Sequence, residues 1–201
     1  MKKNLIALLA LVMMVAALVG CGTENAAQGK QDATRTVTDI DGTEVTIPAN
    51  VERIADLWHA NNQVVLLLGG ADKLVTTTKS VQNLPWFAQV YPHIKEIPAP
   101  VKGTDVNWEE VEKEKPQVVL ASNKEQIEAA RKNGYAAVRV SFTTYDGLKK
   151  TVKITGDVLG GDAVKNAETY LSYLDEKTKF AEDRTKKLSD ADRPVVLHIV
   201  G

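Results

Sequence analysis

Indole, imidazole and lysine side chains are the groups in this chain best suited to gripping a small molecule, and several stand directly after apolar runs. Trp58-His59 is one such pair, and Ser122-Asn123 and the stretch Phe142-Thr143-Thr144-Tyr145 follow two further runs. Lys79-Ser80 and Lys102-Gly103-Thr104 add positive charge, and Trp86, Phe87 and Tyr91 form an aromatic cluster between them. Aromatic faces stack on flat conjugated ligands, and lysines meet the negative charge of a chelate or an oxyanion. Catalysis has no comparable support. There is no Gly-x-Ser-x-Gly elbow, no P-loop, no Gly-x-Gly-x-x-Gly turn and no clustered Cys/His spacing, and the three histidines are far apart. No catalytic residue is assigned, and the chain is not expected to be an enzyme.

Each of these residues also has an ordinary role open to it. Trp86 and Phe87 can pack on their own core, and Trp108 fits a core position in the first turn of its helix. Lys79 and Lys102 fit a solvated surface equally well. His93 and His198 are isolated, so His59 is the one weak candidate for a metal or haem ligand, and no direct metal site is assigned.

The candidates gain meaning from the elements that would position them. Arg35 to Asp39 and Glu44 to Pro48 are β-rich runs flanking Asp41-Gly42, a strong hairpin signal. Strands are then expected at 53–57, 73–78, 117–121 and 136–140, with a short extended piece at 94–97. Helices are expected at 61–68, around 85–90, from Asn107 to Pro116, at 125–132 and from Thr144 to Leu159. Such alternation predicts an α/β fold, a three-layer lobe whose mainly parallel central sheet has helices on both faces and a β-hairpin as an added edge. In open α/β sheets ligands sit beyond the carboxyl ends of the strands. That rule selects Trp58, His59, Lys79, Trp86, Tyr91, Lys102, Ser122, Asn123, Phe142 and Tyr145 as candidate ligand-binding residues.

Two segments lie apart from this pattern. Leu5 to Val19 is a charge-free apolar run of 15 residues after Lys2-Lys3. That is short for a membrane span, which needs about 20 residues, and right for a signal peptide. Its end, Leu18-Val19-Gly20-Cys21, resembles the lipobox of bacterial lipoproteins, in which the cysteine takes the lipid. Cys21 is the single cysteine of the chain, so no disulfide can form within it. From Asp162 to Leu188 there is neither proline nor glycine, and Val164, Ala167, Leu171, Leu174 and Thr178 recur at helical spacing. One long helix is expected there. Pro194 to Val200 then reads as a buried strand, which either joins the first sheet or belongs to a further domain. Net charge is −1 with no basic stripe, so nucleic acid is not an expected partner.

Several residues together resemble a known family. They are the hairpin Thr36 to Pro48 leading into Arg53-Ile54, then Ala60-Asn61-Asn62-Gln63 with Leu67-Leu68-Gly69, then Val106-Asn107-Trp108-Glu109, then Lys115-Pro116-Gln117-Val118-Val119. They look like the substrate-binding proteins of iron-siderophore, haem and cobalamin ABC importers, the class with one rigid helix between two lobes. Gln63 and Gln117 depart from it, since members usually carry Glu and Asp there.

The resemblance implies a signal peptide at 1–20, a flexible tether at 21–34 and an N-terminal α/β lobe at 35–161. A bridging helix at 162–189 and the first strand of a truncated second lobe at 190–201 would follow. It implies an extracytoplasmic lipoprotein in the cell envelope, anchored through Cys21, delivering a siderophore-type iron chelate or another metal-containing small molecule to an ABC importer and carrying no cofactor. Molybdate or tungstate, cobalamin and haem are alternative cargoes, and an extracytoplasmic α/β enzyme is the alternative of another class. The implied partners are an ABC permease and its ATPase, with the binding protein itself a monomer. Glu109 would dock on an arginine of the permease, although a carboxylate in a first helical turn also complements the helix dipole.

Overall fold

The computed structural model describes residues 33–199. The signal run, Cys21, nearly all of the expected tether and Val200 lie outside the described residues.

Strands β1 (Thr34–Thr38) and β2 (Glu44–Pro48) pair antiparallel around Asp41-Gly42. Gly42 takes φ +85°, a conformation that suits glycine, and the Asp39 carboxylate accepts the N–H groups of Asp41 and Thr43. The chain continues through β3 (Ile54–Asp56), α1 (His59–Leu67), β4 (Leu74–Thr76), α2 (Lys79–Asn83), α3 (Pro85–Val90), β5 (Val101–Lys102) and β6 (Asp105–Val106). Then come α4 (Trp108–Lys113), β7 (Val118–Ala121), α5 (Lys124–Lys132), β8 (Ala136–Arg139), α6 (Tyr145–Leu159) and α7 (Asp162–Thr185).

The central sheet is parallel throughout, in the order β4-β3-β7-β8. Along β7, Val118 and Leu120 join one hydrophobic cluster while Val119 and Ala121 join the other, and all four are buried. Both faces are therefore covered, as parallel sheets require. Residues of α1, α3, α6, α7 and the hairpin form the first cluster, and Val111 of α4 with Ile127 and Ala130 of α5 cover the opposite face. The result is the three-layer lobe expected from the sequence.

Local differences have local causes. The hairpin is a sheet of its own and not an edge of the central one; its backbone reaches β8 through Ile40, whose N–H donates to the Arg139 carbonyl. The piece expected to be extended near Ile94 is a 3-10 turn, Pro92–Lys95, opened by its proline. The short helix α2 and the small hairpin β5–β6 were not expected; both are too short for a periodic signal.

Gly160 and Gly161, at φ +69° and +56°, turn the chain sharply from α6 into α7. The two helices then close on Gly156, where a β-carbon would stand 3.0 Å from Ala167 Cβ and 3.1 Å from the Ala163 carbonyl oxygen. Helix α7 is one unbroken run of 24 residues, about 36 Å at 1.5 Å per residue. Its buried residues are Ala163 and Ala167, and its second half is almost wholly exposed. The run Pro194 to Ile199, expected as a buried strand, has no strand geometry. Val195, Val196, Leu197 and Ile199 are exposed, because among the described residues no strand pairs with them.

The contact between α6 and α7 makes a direct test. Gly156→Val places branched carbon where only hydrogen fits, so it should lower stability by about 1–3 kcal/mol, the usual cost of overpacking. Urea unfolding followed by circular dichroism measures this, and a wild-type midpoint would show that the helices do not rely on close approach there.

Candidate functional site

From β3 the chain moves outward to β4, whereas from β7 it moves the opposite way to β8. Strand order thus reverses between β3 and β7, and the loops leaving their carboxyl ends diverge. Such a reversal opens a crevice at the sheet's edge. Trp58-His59 follows β3 on one side of it, and Ser122-Asn123 follows β7 on the other. Thr78, Lys79 and Ser80 after β4, together with Val101 to Thr104 of the β5–β6 turn, complete a hollow of about 430 Å³. Six expected binding residues line it together: Trp58, His59, Lys79, Lys102, Ser122 and Asn123. No acidic residue does.

Local chemistry fixes these loops. Helices α1, α2 and α5 all begin at the rim, so their unpaired N–H groups add partial positive charge to that of the lysines. The Thr78 hydroxyl accepts the Val81 N–H at 3.4 Å, and Asn123 Oδ1 accepts the Gln126 N–H at 3.1 Å. Capping occupies that oxygen of Asn123 and leaves its amide nitrogen for another acceptor. Gln126 Nε2 donates to the Thr104 carbonyl at 3.0 Å, tying the β5–β6 turn to α5, and Lys79 Nζ donates to Gln82 Oε1 at 2.9 Å.

The other four expected residues fall elsewhere. Phe142 sits beside the mouth, its ring 5.0 Å from that of Trp58, but it lines a second, mainly apolar hollow of about 520 Å³. Trp86 lines that hollow too, and stacks on the buried Phe87 with ring centroids 3.7 Å apart. Tyr91 is not at the mouth: α2 and α3 carry the chain away from the carboxyl ends, and its hydroxyl meets Asp72, which precedes β4. Burial first, and Asp72 second, push the Tyr91 phenol up from its ordinary pKa. Tyr145 opens α6 with its side chain two-thirds exposed and lines neither hollow.

One group of residues escaped the sequence reading. Asp56, the last residue of β3, is wholly buried, and its Oδ1 accepts the Trp58 N–H at 3.1 Å. Its Oδ2 accepts the Asn61 side-chain amide at 2.9 Å, and Asn61 Oδ1 accepts the Thr155 hydroxyl of α6, also at 2.9 Å. Asn62 Nδ2 donates to the carbonyls of Asp56 and Trp58, while its oxygen accepts the Thr77 hydroxyl at 2.7 Å. The mouth loop is thus pinned from below to β3, β4 and α6. Burial raises the Asp56 carboxyl to about 8, and the bonds from Trp58 and Asn61 oppose that rise. The signal was present in the sequence as three polar residues, Asp56, Asn61 and Asn62, inside an apolar stretch.

Glu109 is exposed in the first turn of α4, where Asn107 caps the helix by accepting the Glu110 N–H. It lines a separate hollow with Trp108, Glu112, Lys115, Asn133 and Tyr135. The Trp108 ring lies over Tyr135 and packs on the second core cluster, which accounts for that tryptophan structurally. Gln117 accepts the N–H groups of Glu52 and Arg53 and so holds the β3 entry loop. His93 pairs with Glu96 at the surface. Among the described residues no group of three or more His, Cys, Asp or Glu is placed to hold a metal, and no helix is long and apolar enough to cross a membrane.

No profile of a known protein family matches the chain. It is 24% identical over 215 aligned positions to an uncharacterized ABC transporter substrate-binding lipoprotein of Bacillus subtilis, covering 99% of this chain and 65% of that one. Among solved structures, a periplasmic solute-binding protein of Veillonella parvula superimposes with TM-score 0.70 and 26% identity, over 79% of this chain and 50% of the other. The molybdate periplasmic binding protein MolA of Haemophilus influenzae gives 0.71 and 20%, over 79% and 56%. The iron-uptake substrate-binding protein PiuA of Streptococcus pneumoniae gives 0.64 and 16%, over 78% and 55%. The chain spans about two-thirds of its curated relative and about half of the solved ones. The resemblance read from the sequence therefore stands at the level of fold: the described lobe is similar to substrate-binding proteins of ABC transporters over about half of the solved chains.

Proposed function

We propose that this chain is the ligand-gripping lobe of an extracytoplasmic solute-binding lipoprotein, anchored through Cys21, that captures a siderophore-type iron chelate and presents it to an ABC permease and its ATPase. The observation that carries the reading is the hollow at the strand reversal, where Trp58, His59, Lys79 and Lys102 converge without an acidic residue. Ferric complexes of catechols are anionic, flat at their rims and too large for an enclosed cavity. Two lysines and the starts of α1 and α5 answer the charge, and the Trp58 ring offers a stacking face. An iron-uptake protein among the solved relatives supports the same cargo.

A second reading has its own support, because a molybdate-binding protein superimposes as well as any of the relatives described. A small oxyanion would be held by the N–H groups at the starts of α1 and α5 and would use few aromatics. Haem and cobalamin are further cargoes that this fold can present to Trp58 and Phe142.

Titration with a ferric tris-catecholate complex, following tryptophan emission and visible absorption, tests the cargo. Saturable quenching is expected, and Lys79→Ala combined with Lys102→Ala should weaken it by about tenfold or more, since charge-assisted bonds contribute about 1.5–3 kcal/mol each. Absence of saturation, with sodium molybdate instead raising the thermal midpoint, would transfer the assignment to the oxyanion.

Docking is tested separately. In cells carrying the whole transporter, Glu109→Ala should lower uptake of labelled iron while leaving chelate affinity unchanged. Wild-type uptake would leave Glu109 only its favourable place in the helix dipole.

A further inference from the structure

Ligand capture by the hollow makes no use of the polar line beneath it. A carboxyl wholly buried with two neutral donors, and no cation against it, is costly to ionise. Asp56 is bonded to Asn61, Asn62 and the Trp58 backbone and pairs with Leu120 of β7, while Thr155 of α6 and Thr77 after β4 follow through Asn61 and Asn62. None of them titrates. The charged and titratable groups of the mouth are His59, Lys79 and Lys102, which line the open hollow above.

The line Asp56–Asn61–Thr155 is self-consistent in two directions. With the carboxylate ionised, the Thr155 hydroxyl donates to Asn61 Oδ1, and the Asn61 amide donates to Asp56. With the carboxyl protonated, a turned-over Asn61 amide accepts from Asp56 and donates to Thr155. The Thr155 hydroxyl then donates to the carbonyl of Thr151, four residues back in the same helix. The Trp58 N–H has an acceptor in both arrangements.

We infer that Asp56 is the positioning residue of the mouth: through the Trp58 N–H and the Asn61–Thr155 line it sets the first turn of α1, and with it the Trp58 ring, against α6, and loss of its proton turns the Asn61 amide over and puts a negative charge beneath the Trp58 loop. The inference rests on reading the hollow as a binding mouth, but its test needs no ligand, so the two can fail independently. Because α7 packs on α6 at Gly156, the same line joins the mouth to the long helix.

With Trp86→Phe and Trp108→Phe in the full chain, Trp58 is the one remaining indole. Its emission maximum should shift once between about pH 5 and about pH 9, with a midpoint near 8. His59→Gln, which removes the one imidazole lining the hollow, should leave the transition in place. Asp56→Asn, which keeps the shape but cannot ionise, should abolish it. Thr155→Val, at the far end of the line, should move the midpoint. A flat profile in the parent, or the same transition surviving in Asp56→Asn, would overturn the inference.

Urea midpoints give a second readout if Asp56→Asn is loosened. Below about pH 4 the carboxyl is protonated in both folded and unfolded chains, so its contribution is fully present there. Between about 4 and 8 the folded chain holds a proton that the unfolded chain has released, so stability should fall as pH rises, then level off above 8. Asp56→Asn should remove that slope, and an unchanged slope would also overturn the assignment.

Discussion

Burying both faces of a parallel sheet leaves its strand ends as the only part of the sheet that a ligand can reach. Ile54, Val118, Leu120 and Val138 are sealed under one helical layer, and Ala55, Val119, Ala121 and Ala137 under the other. Each helix that follows a strand must begin at the strand's carboxyl end, and there it exposes N–H groups without partners. The same packing that stabilises the lobe therefore concentrates hydrogen-bond donors along one edge. Reversal of strand order between β3 and β7 parts the loops at that edge and turns a row of helix starts into a concave site.

Keeping such a site in shape requires polar groups inside the lobe. Asn61 and Asn62 are buried in the first turn of α1, where an aliphatic pair would pack more simply. Their amides instead satisfy the Asp56 carboxylate and the backbone carbonyls of a loop that has no ladder of its own. Each amide is itself satisfied by a threonine hydroxyl, one from the loop after β4 and one from α6. A half-paired version would cost more than an apolar core, so the arrangement holds only as a set. This explains why the mouth loop is ordered at its base, although Trp58 gives α1 no side-chain cap.

Most of the lobe was legible in the sequence because its elements carry strong local signals. Asp41-Gly42 marks the hairpin turn, Asn107 and Thr144 mark helix starts, and the proline-free stretch after Gly161 marks α7. Six of the candidate residues line one hollow because the rule about strand ends that selected them needs no strand order. Tyr91 and Tyr145 fall outside that hollow for the complementary reason: position along the chain does not say how far a helical excursion carries a residue from the sheet edge. The Asp56 line left a partial signal, since Asp56, Asn61 and Asn62 stand as polar residues in an apolar stretch, whereas Thr155 lies some hundred residues from Asp56 and could not be joined to them. Pro194 to Ile199 reads as a strand by composition, yet a strand exists only where another offers its backbone.

The long helix presents the opposite balance. Its first two turns lie against α6 through Ala163 and Ala167, and Lys149 of α6 pairs with Asp175 further along. Beyond that, helix formation rests on local terms such as the Lys179–Asp183 pair, each contributing about 0.2–0.5 kcal/mol. Isolated helical segments of a dozen residues are marginal in water, so the outer half draws its order from continuity with the packed half. Bending is opposed along the whole element, because no proline or glycine interrupts Asp162 to Thr185. The base of α7 is where Gly156 lets it touch α6 and where Thr155, one residue away, enters the polar line beneath the mouth.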